Sequence, residues 1–352
     1  METVSVAHAV TPIRIELHET AAARFAQVAE ACARSGDGRI AIVPAYSVKT
    51  NPKASMLRMA LDAGFHVEVI GAAEAAWVRA LGFRSERIVY NGPEPAPGDG
   101  GAFDLCFADS IEAFERNCER DVARTPGVRL RPAMIESRFG VAVADDARLA
   151  EVARRRPREP LSVSMHVRRE DYGGASWLDL CVHLIERAQR LEASAGRRIA
   201  AFDVGGGWEP AQFDQCFERD VRGLLAILPS ALPAVTRVVV EPGQAVATGS
   251  EALRTTVLEV RRRPGRAEAI VDAGYNDWPQ LHAFEHRLFV DRCGTWVPLA
   301  KGPDRIGGRT CLEYDRLDGV ALPADLEVGD VLMIGDVGGY DSSMSFRFGR
   351  GT

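Results

Sequence analysis

The segment R-I-A-I-V-P-A-Y-S-V-K-T spans residues 39–50 and joins a short apolar run to a polar tail. Short apolar runs rich in β-branched residues are typical of buried strands. Seven similar runs follow within the first two thirds of the chain: HVEVI (66–70), RIVYN (87–91), DLCFA (104–108), VRLRP (128–132), LSVSMHV (161–167), IAAFDV (199–204) and RVVVEP (237–242). The pattern therefore predicts eight buried strands.

Most of these runs are separated by segments whose apolar residues recur at three- and four-residue spacing, which predicts amphipathic helices. Alternating strands and helices form a parallel sheet, and eight such units close into a (β/α)8 barrel. Residues 92–102, GPEPAPGDGGA, are too rich in proline and glycine for a helix, so we expect one irregular unit. The chain is thus predicted to be an α/β protein with its barrel over residues 21–247.

Beyond residue 247 the pattern changes to short strands separated by turn residues. We expect a β-rich domain over residues 248–352, joined by a strand from the segment IRIELHE within residues 1–20. The strands predicted for this domain are ALRTTVLEVRRR (252–263), EAIVDAG (268–274), RLFVDRC (287–293), RTCLEYD (309–315), GDVLMIGD (329–336) and SMSFRFG (343–349).

Composition argues against several classes of partner. The 352 residues include 43 Lys and Arg against 49 Asp and Glu, a net charge of -6, so no broad electropositive face for nucleic acid is expected. No apolar run is long enough to cross a bilayer, and the opening segment lacks an export signal, which predicts a cytoplasmic protein without a membrane partner. The seven cysteines are scattered and form no C-x-x-C pair, so we expect reduced thiols and no metal site.

Reactive groups of such a barrel lie at the carboxyl ends of its strands. Lys49 follows the first run, where a partly desolvated amine can form Schiff bases with carbonyl groups, although a solvated strand-end lysine is the commoner case. Glu68 and Glu74 follow the second run, and either could be a solvent-facing acid favoured by a helix dipole. His166, in the sixth run, could lie against a planar ligand or be a structural histidine.

The last two strands add an anion site and an acid. Gly205, Gly206 and Gly207 could direct several backbone N–H groups at an anion, or form a flexible turn. Glu241 emerges from an apolar run, and a buried acid requires a partner such as a protonated ring nitrogen. An amine for an aldehyde, a glycine cradle for a phosphate, an imidazole for a ring face and a carboxylate for a ring nitrogen together match pyridoxal phosphate.

In order along the chain, these motifs resemble those of the fold-type III pyridoxal phosphate enzymes, particularly the ornithine/diaminopimelate decarboxylase family. The resemblance implies an alanine racemase-like barrel with a β-rich domain, and removal of an amino acid α-carboxylate. The matching stretches are YSVKTN (46–51), EVIGAAE (68–74), SRFG (137–140), DVGGG (203–207), EPG (241–243), VDAG (271–274), RTCLEYD (309–315), LPADLEVGD (322–330) and GGY (338–340).

The resemblance also implies roles for individual residues. Lys49 would carry the cofactor as a Schiff base, His166 would stack on its ring, and Glu241 would pair with the pyridine nitrogen. Cys311 would reach the active site of a neighbouring subunit in a homodimer and donate a proton to the substrate carbon; its alternative is a buried free thiol. Further cofactor contacts are expected from Glu68, Gly205, Gly206, Gly207, Gly243, Gln244 and Tyr340.

Two departures from the family pattern concern the phosphate. The family motif H-x-G-S has become His166-Val167-Arg168-Arg169, and the motif E-P-G-R ends in Gln244. A serine and an arginine expected at the phosphate are therefore absent. We hypothesise that Arg168 or Arg169 restores the lost positive charge.

A third departure concerns the substrate. Leu312 follows the cysteine where ornithine- and diaminopimelate-type enzymes carry Asp or Glu, groups suited to a distal amine. Glu313 and Asp315 are close in sequence, but neighbouring residues of a strand point to opposite faces, so Glu313 need not substitute. We therefore expect an amino acid, free or conjugated, that is modified at its distal end.

Two alternative functions stay open. One is a racemase or epimerase on the same scaffold, and the other is a catalytically inactive regulator. Glu241 favours decarboxylation, because related racemases place an arginine at the ring nitrogen and weaken the electron sink. Retention of Lys49, Glu241 and Cys311 argues against an inactive regulator.

Overall fold

The computed structural model describes residues 10–98, 101–155, 160–168 and 171–349. The chain divides into two compact units, Ala22–Ala245 and the combination of Met1–Ala21 with Val246–Thr352. Strand β1 (Ile13–Glu16) belongs to the second unit and is followed by helix α1 (His18–Ser35).

The first unit is a closed barrel of eight parallel strands, which confirms the predicted fold class. Each of the eight apolar runs contributes to one strand, and the last strand pairs with the first in the register Ala41 to Arg237. The strands are β2 (Ala41–Ser47), β3 (His66–Val69), β4 (Ile88–Tyr90), β5 (Phe103–Ala108), β6 (Ala123–Arg129), β7 (Leu161–Ser164), β8 (Ile199–Asp203) and β9 (Arg237–Val240).

Helices follow most of the barrel strands, and local signals mark their ends. Ser176 and Asp179 form a reciprocal capping box at the start of the helix Trp177–Ala195, which is followed by Gly196 in the left-handed conformation. The described residues between β4 and β5 form no helix, as their proline and glycine content predicts. The helices are α2 (Ala54–Asp62), α3 (Ala72–Ala80), α4 (Ile111–Glu119), α5 (Asp146–Arg154), α6 (Trp177–Ala195), α7 (Pro210–Ala231) and α8 (Gly243–Ala247).

Apolar side chains fill the barrel, so it is a packed core that leaves its chemistry to the strand ends. Gly127 on β6 makes room for this packing, because a Cβ there would lie 2.5 Å from the Phe107 ring. The cluster consists of Ala45, Val89, Leu105, Phe107, Ala201 and Val239.

The second unit is built on an eight-stranded, mostly antiparallel sheet. Its order is β13-β12-β16-β10-β11-β14-β15, and β1 pairs with β10 in antiparallel register, Ile13 opposite Arg254. The N-terminal segment therefore joins this sheet. The remaining elements are β10 (Glu251–Arg263), β11 (Arg266–Val271), β12 (Leu288–Arg292), β13 (Thr295–Pro298), β14 (Lys301–Gly307), β15 (Arg316–Val320), β16 (Val331–Ile334) and α9 (Asp341–Met344).

The strand predicted at residues 309–315 is wrong, because this segment forms a tight loop. The Asp315 carboxylate accepts hydrogen bonds from the backbone N–H groups of Tyr275 (2.7 Å) and Thr310 (2.9 Å). It also accepts the hydroxyl of Thr310. Donors from Thr310 in the same loop and from the distant Tyr275 hold the chain in a turn, where neighbouring side chains do not alternate between two faces.

The strand predicted at residues 343–349 is also wrong. The chain forms α9 and then continues without strand structure, because its backbone groups form hydrogen bonds with Asn276 and not with a neighbouring strand. The side-chain amide of Asn276 donates to the Phe348 carbonyl (2.8 Å), and the Asn276 carbonyl accepts from the Phe346 N–H (3.3 Å).

Sequence reasoning missed three strands, β13, β14 and β15. Proline or glycine interrupts the apolar pattern in each of them. The hairpin between β12 and β13 turns at Cys293 and Gly294, both with positive φ (54° and 82°), and cysteine is not a usual residue for such a turn. No helix among the described residues is both long and apolar enough to cross a membrane.

An ion pair lies near the amino-terminal ends of the barrel strands. Asp104 on β5 accepts two hydrogen bonds from Nη1 of Arg237, the first residue of β9, at 2.9 and 2.7 Å. The Asp104 side chain is 8% exposed and that of Arg237 is 25% exposed. Burial reduces the pKa of the nearby His66 to about 4, so His66 is neutral at pH 7.

We expect Asp104→Ala to reduce the free energy of unfolding by about 3 kcal/mol, near the lower end for breaking a buried ion pair because Arg237 keeps some contact with water. Urea denaturation followed by circular dichroism measures the change. Glu119→Ala, at an exposed position of α4, serves as the control and should cost less than about 0.5 kcal/mol. Equal effects of the two substitutions would contradict this account of the barrel end.

Candidate active site

Lys49 lies just beyond β2 with its amine paired to a buried acid. Its Nζ is 2.6 Å from Glu68 Oε2, and the Ser47 hydroxyl donates to the same oxygen at 2.6 Å. Glu68 is 1% exposed, whereas the Lys49 side chain is 28% exposed and can be reached by a ligand. Burial raises the pKa of Glu68, and the Lys49 charge opposes that rise.

The two acids of the second run differ in their environment. The alternative that Glu68 faces solvent is wrong, because it is buried within β3. Glu74 lies in the first turn of α3 and accepts a hydrogen bond from the Ile70 N–H at 2.9 Å. Burial raises the pKa of Glu74 as well. Glu68 therefore belongs to the site, whereas Glu74 caps the chain beside it.

Glu241 follows β9 and is held by two donors. His166 Nδ1 lies 3.0 Å from its Oε2, and the Asn91 side-chain amide donates to its Oε1 at 3.1 Å. Glu241 is 2% exposed. Burial acts to raise its pKa, but the hydrogen bond and charge of His166, the charge of Lys49 and the bond from Asn91 together reduce it to about 2. The carboxyl is therefore an anion at neutral pH.

The glycines after β8 allow these groups to approach. Gly205 has φ +68°, and a Cβ there would lie 2.7 Å from His166 Nδ1 and 2.9 Å from the Met165 carbonyl. A Cβ at Gly206 would collide with the Glu241 carbonyl, and Gly207 has φ +92°. Glycine is therefore required by conformation and by space, and the backbone here forms a cradle free of side chains.

A second glycine contact lies after β9. A Cβ at Gly243 would collide with the Thr50 hydroxyl next to Lys49, so the start of α8 packs directly against the loop that carries the lysine. Gln244 is the next residue of α8 and is half-buried. The first and last barrel strands therefore bring Lys49, Gly243 and Gln244 to one end of the barrel.

The polar groups at this end of the barrel fit pyridoxal phosphate. Buried side-chain oxygens without a hydrogen-bond partner among the described residues here include Glu68 Oε1, Thr50 Oγ1 and Ser164 Oγ. Buried polar atoms are normally paired, so these oxygens indicate a site that a polar ligand completes. The accessible amine of Lys49, the anionic Glu241 and the glycine cradle match the aldehyde, ring nitrogen and phosphate of that cofactor.

Sequence reasoning missed three residues of this site. Asn91 follows β4 and binds Glu241, while Asp203 ends β8 and accepts the Gly205 N–H at 2.8 Å. Burial, then the charge of Glu241, raises the pKa of Asp203. Arg129 ends β6 and donates to the His166 carbonyl at 2.8 Å. Their signal was their position at or just after a predicted barrel strand.

Arg168 and Arg169 are the two arginines expected to replace the missing positive charge at the phosphate. Arg168 is 68% exposed and forms a bidentate pair with Asp171, at 2.9 and 3.2 Å. Arg169 lies outside the described residues. The hypothesis that either arginine replaces the lost phosphate charge stays a prediction.

The remaining predicted residues belong to the second unit. Cys311 and Glu313 are exposed, so the alternative of a buried thiol is wrong. Leu312 is half-buried, and Asp315 is buried with its carboxylate engaged by the loop. Tyr340 is half-buried with φ +68°. Asp315 thus stabilises the loop that presents Cys311, Leu312 and Glu313, and is the least available of the expected substrate residues.

Comparison with known proteins gives whole-chain similarities. No protein-family model matches the chain. It is 29% identical over 339 residues to the diaminopimelate decarboxylase of Deinococcus radiodurans, which covers 89% of this chain and 81% of that protein. It is 23% identical over 328 residues to the lysine/ornithine decarboxylase of Selenomonas ruminantium, with coverages of 86% and 80%.

A solved structure shares the fold over almost the whole chain. The arginine decarboxylase of Paramecium bursaria Chlorella virus, bound to agmatine, superposes with a TM-score of 0.79 at 18% identity. The match covers 97% of this chain and 94% of that chain.

The reduced pKa of Glu241 predicts an effect of pH on stability. A carboxyl with a folded pKa near 2 and an ordinary value of 4.5 stabilises the folded state above about pH 4.5, and this contribution is lost as the pH falls toward 2. The melting temperature of the wild type should therefore fall more steeply below pH 5 than that of Glu241→Gln. Parallel pH profiles for the two proteins, with Glu119→Gln as the control, would disprove this.

Proposed function

We propose that this chain, a homologue of the fold-type III amino acid decarboxylases, removes the α-carboxylate of an amino acid with pyridoxal phosphate as cofactor. The observation that carries the proposal is that the accessible amine of Lys49 and the buried, anionic carboxyl of Glu241 both lie at the carboxyl end of one barrel. Each group alone has a structural explanation. Together they suit the two ends of the cofactor ring.

The barrel residues would hold the cofactor in distinct ways. Lys49 would bind its aldehyde, His166 would lie against its ring, and Glu241 would accept a hydrogen bond from its ring nitrogen. The cradle of Gly205 to Gly207 would bind its phosphate. When bound, pyridoxal phosphate supplies an electron sink for the pair released as carbon dioxide leaves.

Glu68 controls the proton on Lys49. An amine must lose its proton before it can attack a carbonyl carbon, and Glu68 Oε2 lies 2.6 Å from Nζ. Burial raises the pKa of Glu68, so this carboxyl is a better base than an exposed glutamate. Glu68 can therefore take the Lys49 proton and return it within one hydrogen bond.

Glu241 works in the opposite sense. Its reduced pKa keeps it anionic, and an anion at the ring nitrogen favours the protonated form of that atom. Protonation strengthens the electron sink, which favours loss of carbon dioxide over racemisation. Glu68 and Glu241 are thus two carboxyl groups whose surroundings shift their pKa values in opposite directions, as acid–base chemistry requires.

Cys311 is proposed as the proton donor to the substrate carbon. It is an exposed thiol on the 309–315 loop, and the loop is held in shape by Asp315. We propose that it serves the active site of a second copy of the chain in a homodimer. This assignment depends on the family resemblance and on the exposure of Cys311.

The surroundings of Leu312 support a substrate without a free distal ammonium group. Leu312 is half-buried, and the same loop carries Tyr314, which is 50% exposed. The Tyr314 ring packs edge-on against Tyr275 at 4.9 Å, and Tyr275 also contacts Phe346 at 6.2 Å. An apolar residue at position 312, on a loop that also carries an aromatic cluster, suits an uncharged or modified end better than a cation that needs a carboxylate.

Replacing Lys49 tests the proposed chemistry. We expect Lys49→Ala to reduce kcat/KM for carbon dioxide release by roughly 10³-fold or more, because the covalent attachment point is lost. The visible absorption band of the cofactor-loaded protein should disappear in the variant, and borohydride should abolish it in the wild type. Trp77→Phe, at an exposed position of α3, is a control that should retain both.

The assay also separates decarboxylation from its alternatives. Carbon dioxide and optical activity are followed together over a panel of amino acids and distally modified amino acids. Loss of optical activity without carbon dioxide would indicate a racemase. A wild-type protein that forms no absorption band with pyridoxal phosphate would contradict the whole proposal.

Leu312 provides the test of substrate choice. We expect Leu312→Asp to raise kcat/KM for ornithine or lysine about tenfold over the wild type, since a partly desolvated carboxylate near an ammonium is worth roughly 1.4 kcal/mol. Leu312→Asn is the matched control, with similar size and no charge, and should give no such gain. Efficient wild-type turnover of ornithine, lysine or diaminopimelate would show that the expectation of a modified substrate is wrong.

A further inference from the structure

Asn91, a buried residue directly after β4, is hydrogen-bonded to the buried acid of the site, Glu241. It follows β4, is 7% exposed, and its backbone N–H donates to the Val69 carbonyl at 2.9 Å. Its side-chain amide donates to Glu241 Oε1 at 3.1 Å. The backbone is thus fixed by the neighbouring strand while the side chain is directed at the carboxylate.

Glu241 has one donor on each oxygen, Asn91 on Oε1 and His166 on Oε2. A carboxylate has about four acceptor positions, so these two bonds leave room for a third donor. His166 is 26% exposed, whereas Asn91 is buried and anchored by its backbone. Asn91 therefore holds the carboxylate from its buried side.

The neighbouring charges make this bond important. Asp203 and Glu68 are both buried acids, and the charge of Glu241 adds to the effect of burial in raising the pKa of each. Burial favours the neutral form of Glu241. Without a donor on Oε1, only His166 and Lys49 would stabilise its charged form. A hydrogen bond from the neutral Asn91 amide stabilises the Glu241 anion. It adds no positive charge, which would disfavour a protonated ring nitrogen.

We propose that Asn91 is a positioning residue that orients Glu241 toward the ring nitrogen of pyridoxal phosphate. This inference rests on the proposed function, because it assumes that the cofactor binds beside Glu241. Asn91 has no role of its own in proton transfer. Its contribution is realised only for a cofactor whose ring carries a nitrogen.

The experiment compares two cofactors on the full-length apoprotein. Pyridoxal phosphate and 1-deazapyridoxal phosphate, in which carbon replaces the ring nitrogen, are titrated by visible absorption into the wild type and Asn91→Leu. We expect the Kd for pyridoxal phosphate to rise about tenfold or more in the variant, the size expected for a lost hydrogen bond to a charged group. The Kd for the deaza compound should change less than about twofold.

Two further variants separate positioning from folding. Asn117→Leu replaces another buried asparagine of the same barrel, one that bonds to Cys106 Sγ at 3.3 Å, and should leave both Kd values unchanged. In the Glu241→Gln background, Asn91→Leu should cause no further loss, because a residue that acts through Glu241 shows non-additive effects. Melting temperatures of the apoproteins record any change in stability.

The results distinguish a failure of the Asn91 role from a failure of the proposed function. Equal losses for both cofactors, additive losses in the double variant, or no loss at all would overturn the role of Asn91 while leaving the proposed function intact. A wild-type protein that binds neither cofactor would overturn the proposed function and the inference with it. A selective loss for the nitrogen-containing cofactor supports both.

Discussion

Keeping a negative charge on Glu241 inside the protein is the constraint on which the rest of the site depends. Water stabilises a carboxylate strongly, and burial removes that stabilisation. Here His166 and Asn91 replace it by hydrogen bonds, and Lys49 adds a favourable charge. Lys49, Asn91 and His166 follow three different barrel strands, so the anion is stabilised only when the closed barrel brings these strand ends together.

The same interior treats a second glutamate differently. Glu68 is as buried as Glu241 and is bonded to Ser47 and Lys49, yet burial keeps its pKa raised. Two residues of the same type thereby acquire a basic and an anionic role through their neighbours. The glycines after β8 contribute because they have no side chain. A Cβ at Gly205 would push His166 away from the position that creates this difference, and a Cβ at Gly206 would push Glu241 away.

The barrel could be predicted from the sequence because its strands are short continuous apolar runs, and its reactive residues directly follow them. The family resemblance carried by the ordered motifs is confirmed by the relatives. Asn91, Asp203 and Arg129 were missed because a polar residue after a strand has no pattern that reveals its partner. The strand predicted at 309–315 failed because Asp315 bonds to Thr310 within the segment and to the distant Tyr275, and neither contact leaves a periodicity in the sequence.

The loop fastened by Asp315 has an evolutionary consequence. The buried Asp315 carboxylate holds the turn, so the loop does not depend on a side-chain hydrogen bond from the exposed Cys311 and Glu313 or the half-buried Leu312 for its shape. We expect the 309–315 loop to tolerate substitutions at these positions, so single codon changes could alter specificity there without unfolding the domain. If the loop contacts substrate as proposed, directed libraries confined to Leu312 and Glu313 would vary substrate preference while sparing the scaffold.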